Sequence, residues 1–270
     1  MSQLTTTRTP ELGYIGQCAD WSDKRVLTRQ AAEDINFGDL LTENAAGDEV
    51  FKLLQNRLTL TLNADLITGN SLTGTIKYKH LNDTSFTEKT IGPVPFNTDH
   101  DTTMNDLKSE IETELATAVA ATDVVLSDTV NNRAVQITAQ EGYQLEIGAT
   151  AFVVTGGVSQ ATVTPSRDTT HQVRGIALHQ HRVPPDQNET AKYEKGSAVN
   201  LATKGTFWVK PTEATNTNSD VYANFDPTNR GQLRASSGTS PTVATLVAAG
   251  AKYRGSAAAN ELNQLELNQP

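Results

Sequence analysis

The stretch from Tyr193 to Ala244 constrains this chain most: YEKGSAVNLATKGTFWVKPTEATNTNSDVYANFDPTNRGQLRASSGTSPTVA. Short apolar alternations, Ala198-Val199-Asn200-Leu201 and Thr206-Phe207-Trp208-Val209, lie between clusters of Gly, Asn, Asp and Pro. Period-two alternation punctuated by turn formers is the pattern of a small, turn-rich β-barrel. The stretch holds no nucleophile–base pair, metal cluster or phosphate loop. It points to an architectural role rather than catalysis.

The rest of the chain agrees in style. Its 270 residues suffice for one large or two ordinary domains with real cores. Hydrophobic content of 37% and charged content of 20% fall below ordinary globular values, and Thr, Asn, Ser and Gln fill the difference. Thr is β-branched and suits half-exposed strands, so the balance leans towards sheet. The net charge is −9 with no basic cluster, which argues against nucleic-acid binding and fits solubility or docking on a basic protein surface. Cys18, the lone cysteine, makes no intrachain disulfide and reads as a small semi-buried residue. The polar opening MSQLTTTRTPELGYIGQ has no signal-peptide pattern, and no run approaches 18 apolar residues, so no membrane span is expected. Without a secretory signal, the glycosylation sequons at Asn82 and Asn188 carry no meaning.

Two styles alternate along the chain. Residues 1–54 open with a loose arm containing Gly13 and Gly16, followed by short strands at Arg25–Arg29, around Ile35–Leu41 with a turn at Gly38, and at Val50–Leu54. Residues 55–165 differ. Strict alternation at Leu58–Leu62 and Thr73–Lys79 predicts strands, the second with Ile76 and Tyr78 on one face and Lys77 and Lys79 outward. One helix follows: Thr103-x-x-Asp106 has capping-box spacing, and Met104, Leu107, Ile111, Leu115 and Val119 recur at three and four residues. Strands at Ala134–Ala139 and Gln144–Ile147, and a short one at Ala151–Val154, complete an α+β unit of order β-β-α-β-β. Residues 166–270 return to the first style, with a strand at Val173–Leu178, three or four more between Ser197 and Val247, and a closing one from Leu265. The expectation is a mainly β protein: a discontinuous small β-barrel or sandwich domain of residues 1–54 and 166–270, interrupted at a surface turn by an α+β domain of residues 55–165.

Chemistry-bearing clusters are sparse. His179-Gln180-His181 puts two imidazoles on one side of an extended segment, but no third ligand has characteristic spacing, so a polar strand edge or an interface pair is the better reading. Asp99-His100-Asp101 precedes the helix, where capping explains it better than catalysis. Gly156-Gly157 opens no helix and is no dinucleotide fingerprint. No catalytic residue, cofactor or metal site is expected. Trp208 is either an exposed contact or buried against the other sheet, and Trp21 sits in the arm as an interface candidate.

With these segments in view, the flanks resemble the structural cement (capsid decoration) proteins of tailed bacteriophages. The matching features run in fixed order: Gly13, Gly16 and Ala19-Asp20; Val26-Leu27; Ile35-x-Phe37-Gly38; Val173-Arg174-Gly175-Ile176-Ala177; Tyr193-x-x-Gly196-x-x-Val199-Asn200-Leu201; Gly205-Thr206-Phe207-Trp208-Val209-Lys210; Asp220-Val221-Tyr222; Gly231-Gln232-Leu233 and a Leu-rich close. The middle segment lies outside that pattern and resembles α+β modules of phage virion proteins. The resemblance implies a non-enzymatic virion protein, made in the bacterial cytoplasm. It would bind the outside of the expanded head and bridge major capsid protein subunits as a homotrimer or dimer. The arm and base, through Tyr14, Ile15, Trp21 and Trp208, would carry capsid or self contacts. A tail, baseplate or head-fibre component is the alternative within virions. A carbohydrate-binding β protein fits worse, because sugar sites use exposed aromatics and this chain is 6% aromatic.

Overall fold

The computed structural model describes residues 14–120, 122–126, 132–157, 159–168, 173–179, 192–238, 244–247 and 251–268, with the backbone alone at 20–23, 245, 246 and 268. In chain order the first strands are β1 (Cys18–Ala31), β2 (Ile35–Asn36), β3 (Leu40–Glu43) and β4 (Glu49–Lys52). The middle segment holds β5 (Arg57–Leu62), β6 (Ser71–His80), β7 (Thr87–Pro95), α1 (His100–Glu114), β8 (Val124–Leu126), β9 (Ala134–Thr138), β10 (Tyr143–Ile147), β11 (Val153–Thr155) and β12 (Ala161–Ser166). The last part holds β13 (Val173–Ala177), β14 (Lys192–Tyr193), β15 (Ala198–Val209), β16 (Tyr222–Asn224), β17 (Leu233–Arg234), β18 (Ala244–Leu246), β19 (Lys252–Tyr253) and β20 (Asn263–Asn268).

The mainly β architecture with a single helix is as the sequence predicts. In the flanks the strands run β1-β4-β3-β13-β15, and β15 pairs back with β1, so the sheet closes on itself. Closure removes free edges, the hazard of any open sheet. β20 and β19 extend the sheet beyond β15. The two alternations Ala198–Leu201 and Thr206–Val209 are one strand, because Lys204 and Gly205 stay paired to Asn268 and Leu267 of β20. That long strand reaches β1, β13 and β20 together.

The arm ends sooner than expected. Residues 18–24 are part of β1, not a loose leader. β1 is irregular there: residues 21–24 stand opposite Gly205 alone, between the pairs Asp20↔Thr206 and Arg25↔Lys204. The bulge disguised the strand, because it breaks period two.

In the middle segment the expected β-β-α-β-β order is present with more strands around it. β7, β8 and β12 had no clear signal. β7 pairs along β6 but carries Gly92, Pro93 and Pro95, and β12 carries Pro165. Proline depresses a strand reading, yet it is tolerated where one side of the strand has no partner. α1 is capped by Asp99, whose Oδ1 accepts from the Thr102 N–H at 2.7 Å and whose pKa that bond lowers. Thr103, placed at the cap by spacing, instead sits in the first turn, its hydroxyl donating to the Asp99 carbonyl at 2.8 Å. Met104, Leu107, Ile111, Leu115 and Val119 are all buried, as their spacing predicts.

Buried apolar side chains fall into separate clusters. One draws on Leu58 to Val163 alone, with Leu60, Ile76, Leu107, Ile111 and Val135 at its centre. Two others draw only on the flanks: one around Leu40, Phe207, Val221, Tyr253 and Leu265, the other around Ile35, Leu41, Val50, Tyr193 and Leu201.

Candidate interaction surface

Residues 14–17 lie against the end of β15 and the segment leaving β13. The Gly16 N–H donates to the Trp208 carbonyl at 2.8 Å, and the Trp208 N–H donates to the Gln17 carbonyl at 2.8 Å. The His179 N–H donates to the Gly16 carbonyl at 3.0 Å. A turn closes the segment, with the Gln17 N–H on the Tyr14 carbonyl and the Gln17 side chain accepting from the Tyr14 N–H at 2.9 Å.

Gly16 is required by two independent constraints. Its φ is +76°, where an L side chain is strained, and a Cβ there would sit 2.7 Å from the Ala177 carbonyl oxygen and 2.9 Å from the His179 nitrogen. Gly38, at φ +84°, faces it: a Cβ would stand 2.4 Å from Ile15 Cγ2. Ile15 therefore fills the space Gly38 leaves, and the Gly38 N–H is tied to the Ala177 carbonyl at 2.8 Å.

The side chains around this corner are aromatic. Tyr14, 53% exposed, stacks on His179 with centroids 5.6 Å apart at 21°. His179 meets Phe37 at 4.8 Å, and Phe37 meets Tyr193 edge-on at 5.2 Å. The Tyr193 hydroxyl donates to the Leu178 carbonyl at 2.7 Å, and burial raises its pKa, so it stays a neutral donor. The row runs from an exposed ring at Tyr14 to a buried one at Tyr193 and belongs to four separate chain segments.

Of the four predicted contact residues, Tyr14 and Ile15 lie in the segment seated here, and Trp208 joins it through its backbone bonds to Gly16 and Gln17. Ile15 is half-buried. Trp208 is half-buried on the face of β15 opposite the buried Phe207 and Val209, across from Gln264 of β20. Trp21 lies in the bulge of β1, and its side chain is outside the described residues. His181 lies outside them too, while His179 is an aromatic partner. Among the described residues no group of three or more His, Cys, Asp and Glu is placed to hold a metal ion. His179 was read as a strand-edge or interface residue, while the buried Phe37 and Tyr193 behind it were not linked to the arm. Only Phe37 and Tyr193 stood in the family pattern, and nothing in the spacing linked them.

Charged groups brace the same base from beneath. Glu43, 8% exposed at its side chain, accepts from Arg29 Nε at 2.8 Å and Arg174 Nε at 2.7 Å, joining β1, β3 and β13. Next to Gly38, Asp39 is buried, and burial raises its pKa to about 7 against the opposing pull of Lys52 and the Asn36 N–H.

Residues 111–268 match the family described as Structural cement protein (E217 gp24/Pam3 gp6). This chain belongs to that family. The match covers more than half of the sequence. It runs through residues 111–165, which the sequence reading set outside the resemblance, and leaves out residues 1–54, which it included. Among solved structures, "The capsid of Myoviridae Phage XM1" is similar at 11% identity, over 99% of this chain and 98% of that one, with a TM-score of 0.45. No curated protein matches. Membership makes the cement protein a structural component of the phage capsid, located in the virion. Among the described residues no helix is long and apolar enough to cross a membrane.

Proposed function

We propose that this cement protein binds the outer surface of the phage head and bridges neighbouring major capsid protein subunits, without catalysis. It consists of a base, residues 1–54 and 166–270, and an insert, residues 55–165. The base faces the lattice as a homo-oligomer, trimer or dimer, and the Tyr14, Ile15 and Trp208 corner is its contact point. The observation that carries this is the seating of residues 14–17 on β15: a segment hydrogen-bonded to the Trp208 backbone holds an exposed tyrosine stacked on His179. Tyr and Trp bring large contact area at little entropy cost and are enriched at interfaces.

Charge supports the same orientation. The insert carries 13 acidic and 6 basic residues, so −7 of the net −9 lies in it, and the base is nearly neutral at −2. A near-neutral base suits a packed contact, and an acidic outer unit suits solvent.

The test is co-sedimentation with expanded heads. Deleting residues 1–24 would remove half of β1 and confound folding with binding, so the informative variants are Tyr14→Ala with Trp208→Ala, and deletion of residues 1–13. The double variant is expected to fold and to bind at least tenfold more weakly. Undiminished binding by it refutes the assignment of this corner.

A further inference from the structure

Among the described residues, the hydrogen bonds between insert and base gather in two places. The first is a neck of two chain crossings. On the way in, Arg230 of the base grips the carbonyls of Lys52 and Leu53, at 3.0 Å each. Gln55 is already fastened to the insert: its carbonyl accepts from the Leu145 N–H and its side-chain amide donates to the Leu145 carbonyl, both at 2.8 Å. Leu54 is the single residue between the two grips. On the way out, the Asp168 N–H donates to Asn56 Oδ1 at 2.7 Å, and its carboxylate pairs with Arg57 at 2.7 Å. The crossings are therefore tied to each other, leaving Leu54 as the natural pivot.

The second place is away from the neck. The turn after β3 meets the turn before β10, where Glu141 Oε1 accepts from the Ala45 N–H at 2.9 Å. The turn after β14 meets the turn after β6, where Lys195 Nζ donates to Asn82 Oδ1. Between these contacts lies a cleft of about 480 Å³, lined by Gln30, Glu49, Phe51, His80, Glu141 and Lys195 among others. Its polar groups are largely engaged with each other: besides the two bridges, His80 Nδ1 accepts from the Asn82 N–H at 3.2 Å. Such a lining makes a wet seam between two bodies, not a cradle for a ligand.

We infer that Glu141–Ala45 and Lys195–Asn82 form a releasable latch that sets the angle of the insert on the base, with Leu54 as the hinge. Ala45, Asn82, Glu141 and Lys195 are all exposed, so each bond competes with water and each is individually weak. A few-residue hinge with weak contacts off its axis is how a domain gains a second accessible orientation. Latched, the acidic insert stands in one pose. Released, it swings, and the cleft opens. The inference rests on the two-unit reading proposed above, but not on capsid binding.

The test uses the full chain with spin labels at Thr162→Cys of the insert and Thr217→Cys of the base, both exposed positions, with buried Cys18 left in place. Pulsed dipolar spectroscopy reads the distance between them. The latched protein is expected to give one narrow distribution. Glu141→Ala with Asn82→Ala is expected to at least double its width, and Glu141→Leu with Lys195→Ala, which removes the same two bonds from the other side of the second one, to do the same. Circular dichroism checks that each variant is folded. A third protein with two glycines inserted after Leu54 loosens the neck directly. If only the glycine insertion broadens the distribution, the latch is refuted and the two units stand. If nothing broadens it, the two-unit reading falls and the latch with it.

Discussion

Substituting Gly16 by Ala tests whether the arm is truly built onto the barrel. The methyl group would arrive 2.7 Å from the Ala177 carbonyl oxygen, 2.9 Å from the His179 nitrogen and 3.1 Å from the Gly38 nitrogen. All three are backbone atoms in hydrogen-bonded segments, so none yields cheaply. Holding an L-residue at φ +76° costs about 1–2 kcal/mol. Relieving the clash breaks two backbone hydrogen bonds, Gly16 to Trp208 and His179 to Gly16, at about 1 kcal/mol each. If the segment stays seated, the loss is about 3–4 kcal/mol, which lowers the melting temperature of a domain this size by on the order of 10 °C. The cheaper escape is local: residues 14–17 lift off, and the barrel keeps its stability. Tyr14 then leaves His179, and the amides of Trp208 and His179 lose protection from exchange. Calorimetry, amide exchange and head co-sedimentation together separate the two routes. Gly47→Ala is the control, since Gly47 has φ +73° but no atom within 4 Å of the added carbon; it carries the backbone strain without the clash. Should Gly16→Ala leave melting, exchange and head binding all like those of the Gly47 variant, the seating of the arm on β15 is wrong.

Three further outcomes follow from the packing. Glu43→Ala removes the shared acceptor of Arg29 and Arg174; it should destabilise the base by about 2–3 kcal/mol, discounted at the Arg174 end because that side chain is 50% exposed, and a urea midpoint shift at constant slope checks it. Folded Asp39 keeps its proton to about pH 7 while the unfolded carboxyl releases it near 3.8, so the folded state binds more protons in that window and stability falls as pH rises through it. Asp39→Asn should flatten that fall, by at most about 1.4 kcal/mol per pH unit, and an unchanged melting-temperature slope between pH 4 and 7 would count against burial as the cause. Leu107→Ala empties a buried site in the insert and should cost about 2–5 kcal/mol there, while the near-ultraviolet signal of the base, which contains both tryptophans, persists.

What could be read from the sequence was whatever local pattern dictates. Leu58–Leu62 and Thr73–Lys79 alternate strictly because one face packs on the core and the other meets water, and both strands fall within a residue or two of their predicted bounds. The spacing of Met104, Leu107 and Ile111 placed the helix, which ends at Glu114, so Leu115 is its C-cap and Val119 lies beyond it though both are buried. Of the two caps the sequence offered, Asp99 is the real one and Thr103 lies one turn inside, because both are good capping residues and only the φ and ψ of Asp99 choose between them. β7, β8 and β12 escaped because edge strands bury little and tolerate proline. The proposed contact residues were legible only one by one. Tyr14, Ile15 and Trp208 were named as separate candidates, but their meeting depends on the seating of residues 14–17 against β15 and His179. Pairing across nearly 200 residues leaves no periodic trace. Trp21 shows the reverse error: its surroundings read as a loop because the bulge against Gly205 breaks alternation inside what is still a strand.

The strand edges narrow the ways this cement protein can assemble. On the proposed role many copies would crowd together on one lattice, and an open edge there would template strand addition between neighbours. The base avoids this by closing β15 back onto β1, and its extension ends in the two-residue β19. The sheets of the insert stay open: the outer side of β10 is covered by Gln55, which bonds both backbone groups of Leu145, and the other edges are blunted. β7 carries Pro93 and Pro95, β12 carries Pro165, and β8 and β11 are three residues long. Proline removes a donor from the ladder, and a three-residue edge offers too few bonds to hold a partner. On the proposed role, and among the described residues, these edges favour contacts through side-chain surfaces and seated segments over shared sheets. The proposed corner at Tyr14 fits that mode: the backbone groups of Gly16, Gln17 and Trp208 are engaged within the chain, and the exposed group is the Tyr14 ring.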